Sequence, residues 1–584
     1  MRSKLVAVVG TAAILAAALT ACTKNTGDSA NNGGNVKTEQ VGAIATDPKD
    51  SLGPAAPIQG ASKGGTITLY RQFDIAHLDP ARIYTFAGLT VGQLFLRPLT
   101  NWKVNADGTE TLVGDTATVP GIDVNKDCKT WKFPIKQGLK FEDGSPITAH
   151  DIAYGIARSF DLDLNSGPLY IQQWLANADA FDKVWDFKAN KTSLPPGLTV
   201  PDDHTLQMQF QQPHCDLPFA ASLPETAPVP SAKDTGVDYD KHPVASGPYK
   251  IASYTVGQSL NFDRNPNYDP NTDAVRHNYP DSYVVNIGKD AVAQTNLLIS
   301  DTNGADTAIG LSGVDASLIN KVEGDASLAS RKLEIATADT ERIDINNNRV
   351  TDLSVRQALN YAIDRQDLIK VLGGPTQATP ATTLLPKQAL GYEGYDAYPA
   401  GDTGNIDKAK ELLAGKHPNL VFAINADGSG DDVAAQIKNN LEKAGFVITL
   451  RKVSADSIGA EQKKPTNQWD MYLNDWSYDW PSGSSVIPPL YDGSTIKSAN
   501  NTNECYLNAP DVNSEIKRIL ALPAAQQGPE WSKLDKLIMT KYAPVVPLWY
   551  SNGYYLVGSK IGGITLSSVF GGFPLYNNAY VKQV

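Results

Sequence analysis

From Asp431 the chain reads DDVAAQIKNNLEKAGFVITLRKV: apolar residues at helical spacing, a glycine at 445, then a β-branched run. Glycine ends helices because it enters the left-handed conformation at little cost, so the spacing predicts helix, stop and strand within 23 residues. The same switch of period recurs elsewhere. In GGTITLYRQ (64–72), Thr66, Thr68 and Tyr70 alternate with Ile67 and Leu69 after a glycine pair, as in a strand. In TWKFPIKQGLKFEDGSPITAHDIAYGIARSFD (130–161) a strand and a turn precede a helix, with Thr148 as its cap and Asp151 near the positive end of its dipole. TLQMQFQQP (205–213) alternates as a strand, whereas DLSVRQALNYAIDRQDLIKVL (352–372) sets Val355, Leu359, Ala362, Ile363 and Ile369 along one helical face. Helices alternating with strands restrict the chain to mixed α/β domains.

At 584 residues it exceeds what a single core supports, and its 41% hydrophobic and 20% charged composition is that of a folded multidomain protein. A formal net charge of -12, without a basic run, argues against nucleic acid or an anionic membrane surface as partner. The first 22 residues, MRSKLVAVVGTAAILAAALTAC, place Arg2 and Lys4 before a short Ala-rich apolar run, as in a secretory signal. Leu19-Thr20-Ala21-Cys22 resembles the lipobox of bacterial lipoproteins, which implies cleavage after residue 21 and a diacylglyceryl thioether on Cys22. Residues 23–63 are rich in Gly, Asn, Ser, Asp and Pro and predict a flexible tether with a reach of roughly 35 Å. The expected location is the extracytoplasmic face of the cell membrane. Of the remaining cysteines, Cys128, Cys215 and Cys505, at most two can pair within the chain, and the sequence does not choose which.

Several segments, in this order, resemble extracellular solute-binding proteins of family 5, the peptide- and nickel-binding components of bacterial ABC importers. They are LDPAR (78–82), LKFEDGSPITAHDIAYGIARSFD (139–161), SGPYKIASY (246–254), RNPNYDP (264–270), DLSVRQALNYAIDRQDLI (352–369), DKAKELLA (407–414) and APVVPLWY (543–550). Most have plain structural roles: Gly144, Gly247 and Pro248 shape turns, while Arg356 and Asp364 make ion pairs or caps. The resemblance implies a two-lobed α/β periplasmic-binding architecture of the large three-part type, with mixed sheets and a cleft between lobes. Lobe I would comprise residues 64–103, 212–340 and 545–584, with 104–211 as its subdomain, and lobe II residues 341–544. It also implies a monomer that captures peptide and delivers it to an ABC permease and its ATPase subunits.

Within WDMYLNDWSYDWPSGSSVIPPL (469–490), Trp476 and Asp479 match a Trp and an Asp whose carboxylate, in peptide-binding relatives, pairs with the peptide α-ammonium group. Ser482-Gly483 depart from the family pattern, which often has a second acidic residue and a proline there. Tyr84, Thr85 and Phe86, and near the chain's return to lobe I Trp549 and Tyr550, are further candidates for the cleft wall.

An enzyme is the alternative class, but no His-Glu-x-x-His, Gly-x-Ser-x-Gly, phosphate-loop or dinucleotide motif is present. NADGSGDD (425–432) is faintly like a calcium loop, with Gln436 where a bidentate Glu is needed, so neither metal nor cofactor is expected. Within the same fold, a nickel or metal-chelate, haem or sugar ligand, or a peptide-sensing receptor, is the other alternative.

Overall fold

The computed structural model describes residues 36–37 and 41–583, apart from 427, 429 and 500. The expected signal peptide and Cys22, and Asp427 and Ser429 of the calcium-like loop, lie outside the described residues. The helix–glycine–strand unit forms as its spacing predicts. Helix Asp431–Lys443 buries Val433, Ala434, Ile437 and Leu441, Gly445 takes a φ of 103°, and strand Val447–Val453 runs parallel to Asn419–Asn425.

Thr66–Tyr70 sits inside a five-stranded sheet, parallel to Ser282–Asn286 on one side and Ala308–Gly310 on the other. Ile67 and Leu69 are fully buried there. Residues 122–209 contribute a four-stranded antiparallel sheet whose core is continuous with that of the five-stranded sheet. A six-stranded mixed sheet dominates the second lobe, with order Ala378–Pro380, Val545–Leu556, Lys332–Ile345, Met471–Asn474, Asn419–Asn425 and Val447–Val453. Around it Arg356 donates to the carbonyls of Val350, Thr351 and Tyr542. Asp364 caps the next helix by accepting from the Asp367 amide at 3.0 Å.

The lobes are joined by two long strands, Lys332–Ile345 and Val545–Leu556, which pair antiparallel. Leu333, Ile335 and Tyr555 pack in the first lobe's core. Ile343, Ile345, Val546 and Leu548 pack in the second's. The ladder loses its register between Ala336 and Thr340, where the chain passes from one core to the other. A slipped ladder relaxes the hydrogen bonding that would otherwise stiffen this crossing.

Two expectations change. The flexible tether does not extend to residue 63: Val41–Ile44 pairs with Glu110–Gly114, and the buried Ser51 hydroxyl accepts from the Gly114 amide at 2.8 Å. Backbone pairing to a strand edge needs no hydrophobic period, so composition alone reads such a segment as loop. The open cysteine question is resolved as Cys128–Cys215, with Cys505 buried and free.

Candidate functional site

The loop after strand Met471–Asn474 is fixed by its own polar groups. Trp476 Nε1 donates to the Ser485 carbonyl at 2.9 Å, Trp480 Nε1 donates to Ser484 Oγ at 3.0 Å, and Ser485 Oγ donates to the Trp480 carbonyl at 2.8 Å. Gly483 has a steric reason: a Cβ there would stand 2.5 Å from Trp531. These contacts hold Asp479 at the boundary between the lobes, where Tyr170, on helix Tyr170–Ala176, donates to its carboxylate. The Tyr84 hydroxyl lies against the same two groups. Burial pushes the Asp479 carboxyl up to about 6, against the opposing pull of the Tyr170 and Tyr84 hydrogen bonds. No cation is among the groups that perturb it.

Beside this carboxylate lies a cavity of about 950 Å³, whose walls include Tyr84, Tyr170, Trp174, His214, Trp476 and Trp480. Tyr170 meets Trp480 with centroids 4.6 Å apart, and Trp174 meets Trp480 at 6.4 Å, both edge to face. His214 stacks on Trp174 at 4.4 Å. Burial pushes its imidazole down to about 3, so the ring is neutral near pH 7. Among the described residues no group of three or more His, Cys, Asp or Glu side chains is placed to hold a metal ion.

The structure therefore brings together Asp479, Trp476 and Tyr84. Thr85 instead caps helix Phe86–Phe95, accepting from the Gly88 amide at 3.2 Å. Phe86 stacks on Phe573 at 6.1 Å, away from the cavity walls. Trp549 and Tyr550, expected near the cleft, are 7% and 2% exposed. Tyr550 shares a 2.6 Å hydroxyl contact with Thr383 and accepts from the Thr382 and Thr383 amides. Every residue from Val545 to Tyr550 is buried, so neither face of that strand segment is open to a ligand. Tyr170, Trp174, His214 and Trp480 were not anticipated as wall residues; the aromatic pair Tyr170 and Trp174, four apart on one helix face, was the available signal.

Residues 111–498 match the family model for "Bacterial extracellular solute-binding proteins, family 5 Middle". The chain is 23% identical over 508 residues to the probable D,D-dipeptide-binding periplasmic protein DdpA of Escherichia coli, covering 84% of this chain and 89% of that protein. To the periplasmic oligopeptide-binding protein OppA of Salmonella typhimurium it is 23% identical, covering 79% and 82%. Among solved structures, clavulanic acid biosynthesis oligopeptide binding protein 2 superposes with a TM-score of 0.82 at 25% identity, over 92% of this chain and all of that one. OppA of Haemophilus influenzae, in complex with RPPGFSPFR, superposes at 0.66 and 18% identity, over 90% of this chain and all of that one. The two-lobed fold, the uncompensated carboxylate at the lobe boundary and a family match across most of the sequence lead to one assignment: the chain belongs to the bacterial extracellular solute-binding proteins of family 5.

Proposed function

We propose that this solute-binding protein captures peptides between its lobes, with Asp479 receiving the α-ammonium group, and delivers them to an ABC permease. The observation that carries the reading is the Asp479 carboxylate, poorly solvated, with no cation among the groups that perturb it, and held by Tyr170 and Tyr84, which wall the aromatic cavity. A carboxylate in that state gains most from a ligand that brings a positive charge and several N–H donors together. An ammonium group does both. The phenols of Tyr84 and Tyr170 supply donors but no charge, and they either yield to the ligand or remain as its neighbours.

The relatives support the same class. DdpA, OppA and the dipeptide-binding protein DppE of Bacillus subtilis carry peptide-binding names. A DppA of Helicobacter pylori, which superposes on this chain, is in complex with the peptide STSA. Ligand would draw the lobes together about the two crossing strands, a domain closure that uses binding energy and no covalent step. Main-chain hydrogen bonds would give affinity with modest sequence selectivity. Hydrolysis of ATP would belong to the partner ATPase.

The proposed protein is a monomer held at the outer face of the membrane by the lipid on Cys22. Two acyl chains give stable anchoring where one does not. Cys22→Ala should release it into the medium with peptide affinity intact; retention at the membrane would remove the anchor from the proposal. The function itself is tested by mass spectrometry of ligand released on denaturing purified protein. Short peptides are expected. A steroid, sugar or metal chelate in stoichiometric amount would overturn the reading.

A further inference from the structure

Asp216 occupies the N-cap position before the short helix Leu217–Ala220, yet its side chain makes no capping hydrogen bond. It is 4% exposed, and its Oδ1 has no hydrogen-bond partner among the described residues. That carboxyl group nevertheless lines the cavity beside Asp479. Ser484, whose hydroxyl donates to Ser482 Oγ at 2.9 Å, is the polar side chain beside it, and burial pushes the Asp216 carboxyl up to about 6. A structural carboxylate this deep normally has a guanidinium, an ammonium or a set of backbone amides around it. Asp216 has none of these to complete it.

Its surroundings suit a cation. Trp174, Trp480 and Tyr170 present indole and phenol rings to the same cavity, and a cation is attracted to the faces of such rings most strongly where water is excluded. Among the described residues no protein cation is paired with Asp216. His214 is neutral, and Lys497 at the cavity mouth is paired with Asp179 at 2.8 Å. Lys517, on helix Pro510–Leu520, is exposed at the rim. Ser484 connects the two acidic groups: its Oγ accepts from the Trp480 indole, and Trp480 directly follows Asp479. Asp216 thus lies by the serine that holds the Trp480 indole, Asp479 is the residue before that indole, and no cation is among the groups that perturb either carboxyl.

We infer that this cavity is a subsite for a positively charged ligand side chain, a lysine ammonium or an arginine guanidinium, with Asp216 as its counter-ion and the Trp174 and Trp480 rings as its walls. The inference rests on the peptide reading and narrows it from peptides in general to those with a basic residue at one position.

The test is calorimetry on the full chain at pH 7.5 with alanine tetrapeptides carrying lysine, arginine, norleucine or acetyl-lysine at each position in turn. At one position the two basic peptides should bind at least about tenfold more tightly than the norleucine and acetyl-lysine peptides. In Asp216→Asn that ratio should fall to within about threefold. Trp174→Leu, which keeps the carboxylate and removes an aromatic wall, should lower the ratio by at least about threefold and serves should Asp216→Asn fail to fold. Equal affinities for basic and neutral peptides at every position, or a preference that survives both substitutions, would overturn the subsite while leaving peptide binding in place. If no tetrapeptide of any kind binds, the peptide reading falls and the subsite falls with it.

Discussion

Two sets of desolvated carboxylates in this molecule, one fully buried and one partly, face opposite electrostatic conditions. In the first lobe, Asp115 and Asp273 lie fully buried between Arg97 and Arg276, with N–O distances of 2.6 to 3.6 Å. Burial raises Asp273, but the Arg276 and Arg97 guanidiniums outweigh it and hold the carboxyl below its usual range. At the lobe boundary, Asp479 has tyrosine hydroxyls for company and is pushed up to about 6. Buried charges that the chain neutralises itself maintain the fold. On the proposed reading, Asp479 is left uncompensated for a partner from outside.

The largest test removes a cation from the neutralised set. Arg276→Met should cost about 3–5 kcal/mol of stability, read from chemical denaturation, because it leaves two buried carboxylates to share the Arg97 guanidinium alone. Peptide affinity of the protein that remains folded should stay within about threefold, and a larger loss would erase the distinction between the two sets. Asp479→Asn should do the reverse, weakening peptide binding by at least about tenfold, or about 1.4 kcal/mol, by calorimetry. Its effect on stability also has a definite sign. A carboxyl raised in the folded state favours folding when protonated and opposes it once ionised, so Asp479→Asn should raise the urea midpoint above pH 6. Below about pH 4, where the wild-type side chain is protonated folded or unfolded, the two midpoints should coincide.

The same titration sharpens the ligand side of the comparison. The proposed ammonium pairing needs ionised Asp479, so on that proposal affinity should fall about tenfold per pH unit below pH 6, with proton release on binding in that range. An affinity flat from pH 7 to 5 would exclude Asp479 as the ammonium partner. The smallest effect is expected at Tyr550→Phe. It leaves the Thr382 and Thr383 amides without their acceptor and should cost about 1 kcal/mol. Peptide affinity should not change; a tenfold loss would return Tyr550 to the cleft.

What could be read from the sequence follows the range of the interactions involved. The helix and strand around Gly445 and the strand carrying Ile67 and Leu69 were legible because burial on one face leaves a local period. Trp549 and Tyr550 were misplaced because a strand buried on both faces carries no such period to separate core from cleft. Asp479 was singled out through the order of motifs along the chain. Its partner Tyr170 was not, since the two meet across 309 residues of sequence. Asp216 was missed for a related reason: no local pattern marks it, and only the folded cavity shows that it caps nothing.

The paired crossing strands also describe how such a molecule is assembled as a gene. At the crossing Ala336 is the register partner of Asn552 and Thr340 of Tyr550, so the chain enters and leaves the second lobe at adjacent points. In coding terms residues 340–550 are a cassette with both ends at one doorway. Such a cassette can be exchanged or diversified at a single locus while the remainder of the first lobe keeps its own sheet and core.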